Sequence, residues 1–292
     1  MFVKYIDNTT EEKIITLSYV QQDLQHSILL VIVLNVLVGT IFILITAIRS
    51  RSILFSFFSN QKDEIISNLW KNKINSKVLG GHTIYSEWPL IGGEASGFVD
   101  KSRLIRKNHV KEGDKLLLTK PIGNQAIMAA YRLQKNNPDM LESFSKPKLD
   151  ASIDLAIKLM ISPLQNVVKT IHSYADNKFI HSMTDISGFG LAGHLKEMLQ
   201  KSKLSANINQ VPIINLAQEL AYDFGYKFDS CEMPETAGGM LLSVDHEQAE
   251  EFSERLTKFG IPNWFVGAID NKHKSKEVHV SKDVELINIT KI

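Results

Sequence analysis

"HSMTDISGFGLAGHLKEM" runs from His181 to Met198 and decides how the chain is read. Its first residues have the length of a short strand, which Asp185 ends. Gly188, Gly190 and Gly193 mark a turn, and the residues after it have the apolar spacing of a helix. A strand that passes through a glycine turn into a helix belongs to an α/β or α+β fold. Asp185 at that junction has two readings. A strand-end aspartate can cap the following helix. Beside backbone N–H groups freed by glycine at a helix start, it can instead hold Mg²⁺ against phosphate oxygens.

The same alternation continues outward. "KEGDKLLLTKPIG" (Lys111–Gly123) reads as a polar turn followed by a strand, with helices expected at about 125–136 and 150–175. "GGMLLSV", "HEQAEEFSERLTKFG" and "NWFVGAI" give strand, amphipathic helix and strand, the helix closed by Gly260. Upstream, "NQKDEIISNLWKNKIN" carries Ile65, Ile66, Leu69 and Ile74 at helical spacing. "SKVLGGHTI" and "GGEASGFVD" read as short strands with glycine turns. Besides the opening turn, "LGGHT" (Leu79–Thr83) and "PETAGGM" (Pro234–Met240) are glycine sites where backbone can approach an anion. None has the spacing of a Walker loop or a dinucleotide fingerprint.

The N-terminal part is of a different kind. In residues 1–26, Thr9 and Glu12 have capping-box spacing, which predicts partial helix. Ile28 to Ile48 contains no charged residue and is as long as the ~20 residues that cross a hydrocarbon core. Arg49 and Arg51 follow it, so a span here would place the C-terminal part in the cytoplasm. Its many β-branched residues leave as the alternative a buried strand–helix pair in the soluble core of a cytoplasmic protein.

Composition excludes several classes. Lys plus Arg number 33 against 32 Asp plus Glu, which gives no basic face for nucleic acid. The single cysteine, Cys231, rules out an internal disulfide and a cysteine-rich zinc cage. It reads as a small packed side chain. His82, His181 and His194 lie in or beside the turns without metal-ligand spacing, and read as hydrogen-bonded structural groups.

"GGHTI", "GDKLLLTKPIG", "TDISGFGLAGHLKEM" and "PETAGGMLLSV", in that order, resemble selenide, water dikinase (selenophosphate synthetase). That enzyme belongs to the aminoimidazole ribonucleotide synthetase-like ATP-binding superfamily. The resemblance covers roughly Asp63 to Asp270. It implies two α/β halves, a homodimer paired through the N-terminal halves, and ATP in a groove beside that interface. The implied reaction turns ATP, selenide and water into selenophosphate, AMP and phosphate, with Mg²⁺ held by several acidic residues. By the same resemblance Asp185 is a Mg²⁺ ligand. Gly80, Gly81, His82 and Thr83 form the turn that touches ATP across the dimer; Lys120 matches a family position and reads as structural before catalytic.

The family's N-terminal reactive cysteine, its lysine and its further aspartates have no counterpart here. Residues 1–60 hold no cysteine, and their acidic residues are Asp7, Glu11, Glu12 and Asp23. Several carboxylates neutralise a triphosphate better than one. Three readings follow: an enzyme completed by a partner chain, a non-catalytic and membrane-anchored binding or assembly module, or a rearranged gene product. The expected organisation is a polar segment at 1–26, a transmembrane helix at 27–49, a partial ATP-binding domain at 50–109 and a synthetase-like domain at 110–292.

Overall fold

The computed structural model describes residues 98–292 apart from Lys274, together with the backbone of two strands near the N-terminus. Those are β1 (Val3–Ile6) and β2 (Glu12–Ile15), an antiparallel pair with Val3 opposite Ile15. Glu12 therefore lies in a strand, where the capping-box spacing had predicted helix. Val3, Ile6, Ile14 and Ile15 are β-branched and favour extended backbone, which outweighs a local capping signal. The apolar run 28–48, the helix expected after Asn60 and the turn Gly80–Thr83 lie outside the described residues. Among the described residues, no helix is long and apolar enough to cross a membrane.

The main body is one six-stranded sheet between two helical layers. Its strands are β3 (Lys115–Leu118), β4 (Ile180–Asp185), β5 (Ser205–Ile214), β6 (Met240–Val244), β7 (Trp264–Asp270) and β8 (Val278–Ile289). They lie in the order β4-β6-β3-β7-β5-β8, antiparallel throughout except for the parallel pair β5–β8. Side chains alternate across a strand, so β3, β6 and β7 feed both layers, while the apolar residues of β5 and β8 face one layer only. Leu116, Leu118, Leu241 and Ile208 pack on α1 (Asn124–Asn136), α2 (Lys146–Ile161), α4 (Gly190–Leu199) and α5 (Ala217–Asp223). Leu117, Met183, Leu242 and Val244 pack on α3 (Gln165–His172) and α6 (Ala249–Lys258).

The strands and helices read around Asp185 are present, with two differences. The helix expected at 150–175 is divided into α2 and α3 at Ser162, Pro163 and Leu164, because proline can neither donate to the preceding turn nor fit behind it. Strands β5 and β8 and helix α5 were not anticipated. "SANINQVPII" and "VHVSKDVELINI" are too polar to announce themselves locally, and their pairing along eight registered positions defines them. The architecture is the mixed α/β sheet that the sequence implied. It leaves Asp185 at the C-terminal end of strand β4, opposite Met240 of β6.

Candidate functional site

Pairing of β4 with β6 brings two of the glycine turns together. Ile186 N–H donates to Gly239 O, Glu235 N–H to Ser187 O, and Ala192 N–H to Cys231 O, each at 2.9 Å. Gly190 makes this contact possible. Its φ of +68° is one that glycine adopts freely, and a Cβ there would lie 2.6 Å from Met233 O and 2.9 Å from Cys231 O. Gly238 is pressed against Ile186 O in the same way. At the start of α4, Gly190 N–H is bonded to Ser187 O and Ala192 N–H to Cys231 O. These glycines therefore serve close packing of backbone on backbone, a correction to the anion cradle that their spacing allowed.

Asp185 is not the cap of α4. The N-cap position is Phe189, and it makes no side-chain capping bond. Burial instead pushes the Asp185 carboxyl up to about 7, and the neighbouring charge of Glu197 adds to the rise. A carboxylate held in this way gains from a nearby cation. Among the described residues no cluster of three or more His, Cys, Asp or Glu could hold a metal ion. Asp185 is a single carboxylate, and Mg²⁺ is the ion that can be held by as few as one or two carboxylates, its other positions filled by waters and phosphate oxygens.

Around this carboxylate runs a polar chain that the sequence did not reveal. Ser187 Oγ lies 3.1 Å from His194 Nε2, and His194 Nδ1 lies 3.1 Å from Glu197 Oε2. Lys107 Nζ donates to the same Glu197 oxygen. Lys107 belongs to a segment tied to β4 by an isolated bridge between Arg106 and Ser182. His194 is 5% exposed and its pKa is lowered, first by burial and then by the Lys107 charge, with Glu197 opposing. Phe189 tilts against its ring at 5.4 Å and is itself 62% exposed.

The remaining polar residues of the two turns are structural. Glu235, within "PETAGGM", accepts from Gly123 N–H at 2.7 Å and Asn124 N–H at 3.0 Å, filling the N-terminus of α1. Burial raises its carboxyl to about 8, against those two bonds. Lys120 is buried and donates to the carbonyls of Leu159, Ser162 and Ala237, so it ties the end of α2 to the 231–240 loop. Desolvation lowers it to about 7. His181 lies at the other end of β4, its Nδ1 2.7 Å from Asp114 Oδ1. Cys231 is buried, and its thiol is raised to about 12 by desolvation and the charge of Asp229. His181, His194, Lys120 and Cys231 thus have the packing and hydrogen-bonding roles read for them.

A family model described as AIR synthase related protein, C-terminal domain, matches residues 111–280. This chain belongs to the AIR synthase-related family. Within that family its relatives include a selenide, water dikinase of Methanocaldococcus jannaschii, 35% identical over 73% of this chain and 61% of the relative. Another, of Methanococcus maripaludis, is 32% identical over 74% of this chain and 64% of the relative. The chain therefore spans less than two thirds of the length of these relatives. Among solved structures, hydrogenase maturation protein HypE in complex with ATP aligns with a TM-score of 0.48 and 15% identity. That alignment covers 63% of this chain and 52% of HypE.

Proposed function

We propose that this AIR synthase-related chain is a selenide, water dikinase-like protein that uses ATP and Mg²⁺. The reaction converts ATP, selenide and water into selenophosphate, AMP and phosphate. The observation that carries the proposal is the position of Asp185. It ends β4 at the turn that resembles the selenide, water dikinase motif, with its carboxyl pushed to about 7. Its relatives bearing that name support the substrate class. Asp185 would hold Mg²⁺, which supplies charge neutralisation to the transferring phosphate oxygens. Gly80, Gly81, His82 and Thr83 would form the turn against ATP. A second copy carries the same residues 1–60, so in a homodimer other residues of this chain would have to replace the groups missing there; the alternative is a different partner chain that supplies them.

The deciding experiment is selenide-dependent AMP release from ATP and Mg²⁺ by the full-length chain, beside Asp185→Ala. Release that Asp185→Ala abolishes is the expected result. A folded chain that binds Mg²⁺–ATP without releasing AMP would instead be the non-catalytic binding module.

A further inference from the structure

We propose that Ser187 is a hydrogen-bond acceptor facing the ligand beside Asp185, set in that role by Lys107, Glu197 and His194. The inference rests on the reading of Asp185 as the Mg²⁺–ATP corner and adds to it the residues that orient the turn. Lys107 Nζ donates to Glu197 Oε2, so that oxygen offers lone pairs. The same oxygen is 3.1 Å from His194 Nδ1. Two acceptors do not bond, so Nδ1 carries the hydrogen.

A buried imidazole beside the Lys107 ammonium stays neutral, and Nε2 is then bare. The partner of Nε2, at 3.1 Å, is Ser187 Oγ, which must donate to it. A serine hydroxyl has one hydrogen, and here it points inward. Its outward lone pairs can only accept.

Other contacts hold this serine at the site. Ser187 O accepts from both Gly190 N–H and Glu235 N–H, which fixes the backbone. Ser187 is only partly buried and Gly188, the next residue, is exposed; among the described residues nothing lies within 4 Å of where a Cβ on Gly188 would be. Asp185 lies two residues away, and its carboxyl feels the charge of Glu197, which anchors the chain of contacts. An acceptor beside a magnesium-binding carboxylate suits the waters that Mg²⁺ retains.

The same contacts argue against Ser187 as a nucleophile. Activation requires the imidazole to take the serine proton. Burial and the Lys107 charge disfavour the imidazolium, and Glu197 shares its charge with Lys107. The hydroxyl is oriented, with no proton transferred.

Two measurements on the full-length chain test this. Long-range ¹H–¹⁵N NMR should show His194 with Nδ1 protonated and Nε2 bare, and the opposite tautomer would overturn the inference whatever the ligand. In calorimetric titration with Mg²⁺–ATP, Ser187→Ala should bind about tenfold more weakly, the loss of one hydrogen bond to a charged ligand. Ser187→Thr, which keeps the hydroxyl, should bind within about threefold of wild type. His194→Leu, which frees the serine hydrogen, should weaken binding as Ser187→Ala does, while His194→Gln, which restores an acceptor, should recover it. Wild-type affinity in Ser187→Ala would overturn the inference. Failure of the wild-type chain to bind Mg²⁺–ATP would sink the proposed function and the ligand side of this inference together, leaving the tautomer to the NMR result.

Discussion

Gly190 and Gly188 lie in one turn, two residues apart, and the structure assigns them opposite sensitivities. An alanine at 190 must adopt φ near +68°, which costs an L-residue about 1–2 kcal/mol. Its Cβ would also meet Met233 O at 2.6 Å, the carbonyl carbon of Glu232 at 2.8 Å and Cys231 O at 2.9 Å. All three are backbone atoms, so no flexible side chain can swing aside. The 231–233 segment must move instead, and the bond from Ala192 N–H to Cys231 O moves with it. Overpacking of this kind costs about 1–3 kcal/mol, while the stiffer unfolded chain returns about 0.4–1 kcal/mol. Gly190→Ala should therefore destabilise by about 1–5 kcal/mol. Gly188→Ala, where a Cβ meets nothing within 4 Å among the described residues, should stay within about 0.5 kcal/mol of wild type. Thermal unfolding followed by far-UV circular dichroism reads this as a fall in Tm of roughly 2–20 °C for Gly190→Ala. Equal Tm values for the two variants would refute the packing account. If both variants kept their stability but lost affinity for Mg²⁺–ATP, the anion cradle would be restored.

Other consequences follow from the buried charges. The carboxyls of Asp185 and Glu235 stand at about 7 and about 8 when folded, above their unfolded values, so the folded chain holds extra protons between roughly pH 4.5 and 7. Their linked stability should fall as pH rises through that window, and urea midpoints of Asp185→Asn with Glu235→Gln should lose the slope. Lys120 has the reverse sign: from about 7 when folded to 10.5 when unfolded, the unfolded chain holds the extra proton. Stability should therefore rise from about pH 7 to 10, and Lys120→Met should lack that rise in the same urea measurement. Cys231, buried and raised to about 12, should resist a thiol-directed disulfide reagent in the folded chain and react fully in denaturant. Rapid reaction in the native chain would contradict its packing.

Much of the C-terminal body was legible locally. "KLLL" and "MLLSV" have the apolar continuity of buried strands, and "AEEFSERLTK" places Phe252 and Leu256 on one helical face with its charges on the other. These patterns depend only on the periods of strand and helix. Strands β5 and β8 were not legible, because Asn207, Gln210 and Pro212, or Ser281, Lys282 and Asp283, hide a pattern that only pairing satisfies. The same limit applied to the site. Asp185 was visible because a carboxylate ending a strand before a glycine turn is a local pattern. Glu197 was not, because one glutamate on an amphipathic helix resembles any solvated surface charge.

By itself the sequence determined that a strand, a glycine turn and a helix surround Asp185, and that one cysteine and near-neutral charge exclude several kinds of chemistry. It also determined the family, since the ordered motifs are specific where each alone is weak. Tertiary structure decided what those glycines do and which charges meet. Lys107 and Glu197 are ninety residues apart, and Gly123 and Glu235 are separated by 112. The physical reason is that burial and hydrogen bonding across such separations have no local period. They arise only when β4, β6 and β3 lie side by side and bring remote turns into one corner.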